Sequence, residues 1–220
     1  MWQRIGNAAV SLPKLDILSG CVKKQHRLDH QELSMNQPFK PTKQQLQEAR
    51  GKSVPDVVAP GLRVLFCGIN PGLYTAAVGH HFAHPGNRFW PALHQSGFTA
   101  RQLAPFEEEI LLDSGYGIVN IVARATARAD ELSAEELAEG GMELDRKIRI
   151  YKPCFAAVLG LGAYRLAFRR PKARPGLQEE RIGETCCWVL PNPSGLNASY
   201  LMKDLISMLK ELKGTVERNC

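Results

Sequence analysis

Two short stretches of this chain put an amide side chain where chemistry could be done. The first is Gly68-Ile69-Asn70-Pro71-Gly72, entered directly from the apolar run Val64-Leu65-Phe66-Cys67. The second is Asn192-Pro193-Ser194-Gly195, entered from an apolar run that closes at Leu190. Gly, Pro and Asn are the residues a tight turn asks for, so either stretch alone reads as a connection. Such a turn also holds its backbone N–H groups and its Asn side chain rigidly at the edge of a sheet. The amide can orient a water or a polar ligand, but it cannot take up a proton as a carboxylate would. A matching pair of these turns at two strand ends marks a candidate reaction centre.

The elements that must position them alternate. Strand-like runs fall at 63–69, 117–122, 155–159 and 186–190. Helical patterns fall at 87–96, 134–151, 163–168 and 199–212. The 134–151 helix is well marked: Ser133 and Glu136 form a capping box at its start, and Pro153 forces Lys152 out of helical geometry at its end. Gly140-Gly141 within it is either a weak point or a place where another backbone comes close. Strands alternating with helices predict an α/β fold, a three-layer α/β/α sandwich around a mostly parallel sheet of about four strands. In such folds the working site lies beyond the carboxyl ends of the strands, where both Asn-Pro turns sit.

Length and composition bound the rest. At 220 residues the chain suits one substantial domain plus a tail. Residues 1–53 mix Lys, Gln, His and Pro without a sustained period and read as a mobile basic extension, with a short helix at 42–50. Met35 is an alternative start. The globular domain is expected over 54–213, with a short tail at 214–220. The net charge of +6 fits a protein that meets polyanions, as weak support only. None of the six cysteines forms a C-x-x-C pair, which argues against a zinc or iron–sulfur site and predicts reduced, buried thiols. No apolar run reaches membrane-spanning length and no secretory pattern opens the chain, so a soluble, intracellular protein is expected.

Three segments in order carry a family resemblance: Gly68-Ile69-Asn70-Pro71-Gly72-Leu73, then Gly79-His80-His81-Phe82-Ala83-His84-Pro85-Gly86-Asn87-Arg88-Phe89-Trp90, then Leu190-Pro191-Asn192-Pro193-Ser194-Gly195-Leu196. Together they resemble the mismatch-specific uracil/thymine-DNA glycosylase family of the uracil-DNA glycosylase superfamily, from about Val54 to Lys213. The resemblance implies a monofunctional base-excision repair enzyme that flips uracil, or thymine or ethenocytosine, out of a mismatch with guanine and hydrolyses its glycosidic bond. It implies no cofactor and no metal, double-stranded DNA as partner, a monomer, and abasic-site repair enzymes downstream. It places the protein with the nucleoid of a bacterium or in the nucleus of a eukaryote.

Residue by residue, the resemblance gives Asn70 the positioning of the attacking water and Phe82 the platform on which the flipped base stacks. Ile69 offers backbone groups to the base edge, and Gly72 and Gly79 leave it room. Thr75, Ala76, Gly79 and His81 neighbour the 5-methyl position, where uracil and thymine differ. Asn120 and Asn192 face the base or the water. Leu196 is the apolar wedge that fills the hole left by the base, and Ser194, Gly195 and Asn197 form the loop that carries it. Arg88, Arg124, Arg128 and Lys203 are candidate phosphate contacts. Phe89 and Trp90 read as core.

Asn70 stands where related glycosylases have Asp, and Asn192 replaces the His of fast uracil glycosylases, a departure that removes a source of leaving-group stabilisation. Both predict slow chemistry and keep open a second reading, a catalytically weak or inactive lesion-binding module. A second departure, Ala198 in place of the Arg that enterobacterial relatives carry beside the wedge, weakens the expected grip on the opposite strand and the dependence on guanine. An α/β hydrolase is disfavoured, since the chain has no G-x-S-x-G elbow.

Overall fold

Val64–Gly68, five consecutive buried residues, forms β1, and its neighbours in the sheet show why it is apolar on both faces. The structure, a computed structural model, describes residues 40–220. The expected basic tail over 1–39 and the alternative start at Met35 lie outside the described residues. In chain order the elements are α1 (Lys43–Glu48), β1, α2 (Leu73–Val78), α3 (Phe89–Gln95), α4 (Ile110–Asp113), β2 (Tyr116–Asn120), α5 (Ala134–Tyr151), β3 (Phe155–Leu159), α6 (Leu161–Ala167), β4 (Gly176–Ile182), β5 (Thr185–Leu190) and α7 (Met202–Asn219).

The sheet runs β2-β1-β3-β5-β4, with β2, β1, β3 and β5 mutually parallel and β4 antiparallel at one edge. Side chains of β1 alternate between its two faces. Val64 and Phe66 join a core with Phe89 and Leu93 of α3 and Leu205, Leu209 and Leu212 of α7. Leu65 and Cys67 join a second core with Leu144 and Ile148 of α5 and Tyr164 of α6. This is the expected three-layer α/β/α arrangement, with five strands rather than four. The extra strand, β4, reads Gly-Leu-Gln-Glu-Glu-Arg-Ile and is mostly exposed, so it lacks the apolar run that reveals a buried strand.

The capping of α5 is as the sequence predicts. The Ser133 hydroxyl accepts from the Glu136 N–H, the Glu136 carboxylate accepts from the Ser133 N–H, and Lys152 closes the helix in the left-handed region. Gly140 and Gly141 are close-approach positions: a Cβ would lie 2.5 Å from the Ile121 carbonyl oxygen at the first and 2.2 Å from that of Ala167 at the second. The helix at that pair is therefore pressed against the end of β2 on one side and against α6 on another.

α1 packs on α2 and buries Ala49 completely, within a compact unit that runs from Pro41 to Cys220. Two expectations are corrected. The last helix continues past 212 to Asn219, since Val216 extends its buried stripe. Cys154 and Cys220 form a disulfide with Cα atoms 6.4 Å apart, where reduced thiols were expected. They are 66 positions apart in sequence, and only the return of α7 to the amino end of β3 brings them together. Cys67 and Cys187 are buried free thiols and Cys186 is half-buried; Cys21 lies outside the described residues. No helix among the described residues is long and apolar enough to cross a membrane.

Candidate active site

The turn after β1 is held by the segment that follows β2. Ile121 N–H donates to Gly68 O, Val122 N–H to Ile69 O and Thr126 N–H to Pro71 O, so the two strands stay paired past their formal ends. Gly72 and Thr126 complete the run as an isolated parallel bridge. Asn70 is thereby delivered to the floor of a cavity of about 570 Å³ at the carboxyl ends of the strands.

The hydrogen bonds of Asn70 fix which way its amide faces. Nδ2 donates to the Arg124 carbonyl at 3.0 Å and to the Thr126 hydroxyl at 2.8 Å. The Thr126 hydroxyl spends its own proton on Arg128 O at 2.7 Å, so toward Asn70 it can only accept. Both amide protons are engaged, and Oδ1, which has no partner among the described residues, is left as the acceptor. Thr126 is buried at 1 % exposure and is the functional residue that the sequence reading missed. Its signal, a lone Thr between Ala125 and Ala127, has no meaning until the bridge to Gly72 is seen.

Phe82 lies across the cavity in a left-handed conformation, φ +53°. For a non-glycine residue this costs roughly 1–2 kcal/mol. The ring stacks on Phe89 at a centroid distance of 4.1 Å and 26° between planes, a contact worth about 0.5–1.5 kcal/mol. Phe89 and Trp90 are themselves core, as expected, at 1 % and 3 % exposure. One face of Phe82 is thus covered by the core, and the residue lines the cavity. Gly68 must be glycine here, since a Cβ would meet Asn120 Oδ1 at 2.4 Å and the Phe82 ring at 3.3 Å.

Asn120 ends β2 and reaches His81. Burial pushes the His81 imidazole below its ordinary pKa, opposed by the nearby Glu108 carboxylate. The neutral ring donates from Nε2 to Pro55 O at 2.8 Å, which leaves Nδ1 to accept from Asn120 Nδ2 at 3.4 Å. Glu108 anchors this corner, accepting from the His81 backbone N–H at 2.7 Å and lying 2.9 Å from His80 Nδ1.

The loop after β5 closes the other side. Asn192 Oδ1 accepts from the Ser194 N–H at 3.0 Å, and Asn192 lines the cavity. Leu196 stands out from the protein at 82 % exposure, beside Gly195 and Ser194 at the cavity rim.

Most expected site residues therefore meet around one space: Ile69, Asn70, Gly72, Thr75, Phe82, Asn120, Asn192, Ser194, Gly195 and Leu196 all line it. Gly79 does not. Its φ of +85° closes α2 as a left-handed cap, so backbone conformation, not room for a ligand, requires it. Ala76 packs into the small core beneath α1. Asn197 stays within its loop, its side chain donating to Asn192 O at 2.9 Å. Leu46 of α1 adds an unforeseen apolar wall. Among the candidate phosphate contacts, Arg124 is paired with Glu136, Arg128 with Asp130, and Arg88 turns inward; Lys203 is exposed and has no ion pair among the described residues. No group of three or more His, Cys, Asp or Glu among the described residues is arranged to hold a metal ion.

Residues 55–213, which contain the whole cavity apart from Leu46, match the sequence profile of the uracil DNA glycosylase superfamily. The chain belongs to that superfamily. This membership makes it a DNA glycosylase of the repair class, a hydrolase whose superfamily acts on uracil in DNA. The fold agrees with that of a "putative Uracil DNA glycosylase" from Methanosarcina acetivorans, solved by solution NMR. The match has a TM-score of 0.50 at 17 % identity and covers 74 % of this chain and 98 % of that one. In this glycosylase an oriented amide, an aromatic face and an exposed apolar tip meet at one cavity, and each sits on a separate strand end or loop.

Proposed function

We propose that this glycosylase is monofunctional and removes uracil mispaired with guanine, with thymine and ethenocytosine as further bases, after the nucleotide swings out of the duplex. The observation that carries the reading is the orientation of the Asn70 amide, with both protons engaged and Oδ1 left as acceptor on the cavity floor. An acceptor there takes one proton of a water and aims the water's lone pair at the anomeric carbon of a sugar whose base lies on Phe82. The C1′–N1 bond breaks with its electron pair leaving on the base, the water oxygen bonds to C1′, and the water's proton passes to solvent or to the departing base. Asn70 carries no charge to oppose the developing sugar cation. The rate must then rest on stabilising the base anion, for which Asn192, its Oδ1 already taken by the Ser194 N–H and its Nδ2 the donor left, lines the same cavity. Leu196 supports the swung-out state by occupying the vacated place in the stack, against an unstacking cost of a few kcal/mol.

The test is a single-turnover assay on a G·U duplex, read as strand breaks after hot alkali. Wild type is expected to cleave at the uracil, and Asn70→Ala to lose about 10²–10³-fold or more in rate while still binding the duplex. Full activity in that variant would overturn the role of Asn70. A wild type that binds the mismatch and yields no alkali-sensitive site would make the protein a lesion-binding module instead. Equal rates on A·U duplex or single strands would overturn the guanine requirement.

A further inference from the structure

Arg88 precedes α3 and makes no ion pair among the described residues, yet it is not free to meet DNA. Its guanidinium collects backbone carbonyls: Nε donates to Pro193 O at 3.3 Å, Nη1 to Tyr200 O at 2.6 Å, and Nη2 to Ser194 O at 2.9 Å and Asn197 O at 3.0 Å. The Arg88 backbone N–H adds a second bond to Pro193 O at 2.9 Å. One cation therefore gathers carbonyls from both ends and the middle of the loop 193–200. That loop presents Leu196 to solvent at 82 % exposure. Pro193 is buried at its base, but residues 194–199 are exposed or half-buried, so the shape of the tip rests largely on such bonds.

The strut is tied to the other half of the site by one peptide bond. The next residue, Phe89, is the buried ring on which Phe82 stacks. The two loops also touch backbone to backbone, since a Cβ on Gly195 would lie 2.5 Å from Gly86 O. The base platform and the exposed apolar tip thus share one rigid mount at the start of α3.

Resting on the glycosylase reading above, we propose that Arg88 is the positioning residue for the Leu196 wedge, fixing its height over the cavity through the carbonyls of residues 193, 194, 197 and 200. Arg88 touches neither base nor water and acts through Leu196. A lysine cannot replace it fully, because an ammonium has three donors from one point whereas this arrangement draws on three separate nitrogens of a planar fork.

The experiment uses the full chain and a G·U duplex whose target deoxyuridine is 2′-fluorinated to resist cleavage, with 2-aminopurine as the neighbouring base. Fluorescence at saturating protein reports the flipped population. Wild type is expected to raise it. Arg88→Met and Leu196→Ala are each expected to lower the flipped-to-stacked ratio about tenfold, and the double variant to fall within about twofold of Leu196→Ala alone, the signature of two residues acting as one. Arg88→Lys is expected to be intermediate, and it carries the same cycle if the Met variant fails to fold. Losses that multiply in the double variant, wild-type flipping in Arg88→Met or Arg88→Lys, or no fluorescence rise with wild type would each overturn the proposal. A wild type that raises fluorescence but releases no uracil from the unmodified duplex would overturn the glycosylase reading and leave the wedge result standing.

Discussion

Asn70 Nδ2 and the Thr126 hydroxyl lie 2.8 Å apart, and because that hydroxyl donates onward to Arg128 O, the amide can face only one way. A second acceptor, the Arg124 carbonyl, secures the other amide proton. Orientation of a neutral side chain is thus set by groups more than fifty residues away in sequence.

Thr126→Val keeps the shape of the side chain and removes that acceptor. A buried donor left unsatisfied costs about 1–3 kcal/mol, and here the amide can recover part of it by rotating out of register. Single-turnover uracil release is expected to slow about 10- to 100-fold, with thermal stability changed little, and Thr126→Ser to restore most of the rate. An unchanged rate in Thr126→Val would separate Asn70's orientation from catalysis.

Asn70→Asp tests the same geometry from the other side. A carboxylate at this place would set an oxygen against the Arg124 carbonyl, where the amide now donates. The added negative charge near a sugar cation is therefore expected to bring less than the Asp of faster relatives suggests. The rate is expected to stay at or below wild type near neutral pH, measured on the G·U duplex across pH. A gain of about tenfold or more would show that the loop relaxes to accept the carboxylate.

Gly195→Ala and Gly86→Ala make a matched pair. The first puts a methyl 2.5 Å from a backbone oxygen of the facing loop, which cannot move as a side chain would. The second meets His84 Nδ1 at 3.3 Å, a side-chain atom on an exposed residue that can give way. Single-turnover rates are expected to drop by about tenfold or more for Gly195→Ala and to stay within about twofold for Gly86→Ala, with both variants melting close to wild type.

The pH response should carry a His81 component. Burial holds its imidazole below the ordinary value of 6.5, while the Glu108 and Asp56 carboxylates oppose that shift and His80 reinforces it. In the window below 6.5 the unfolded chain binds the extra proton more readily than the folded one. Folded stability from this group is therefore full above that window and is lost as pH falls through the depressed value. Urea midpoints should fall on acidification in wild type, and less steeply in His81→Gln. In the same range a protonated Nδ1 can no longer accept from Asn120, so that amide must turn. The Glu136 carboxylate, held down to about 2 by Arg124 and the Ser133 N–H, adds a loss only at lower pH, below its ordinary 4.5.

Much of this was legible before any coordinates. The strand at 155–159 and the helix at 134–151 fall at Phe155–Leu159 and Ala134–Tyr151, because an unbroken apolar run and a capping box with a following Pro are local signals. Motif and position likewise single out Asn70, Phe82 and Leu196, and all three line one cavity. β4 was not, because an exposed edge strand of Gln, Glu and Arg carries no apolar period. Arg88 reads in sequence as no more than a candidate phosphate contact, because sequence shows a charge near a motif and not the direction of its side chain.

The sequence by itself determined the alternation of elements, the two turns at strand ends and the superfamily, since each depends on residues close along the chain. Tertiary structure alone decided which atom of Asn70 faces the cavity, what Arg88 holds, why Gly79 is glycine, and that Cys154 meets Cys220. The physical reason is range. Burial patterns and caps are written within a turn or a strand, whereas an amide's orientation and a guanidinium's partners come from backbone groups that only the closed sheet brings within 3 Å or so of them.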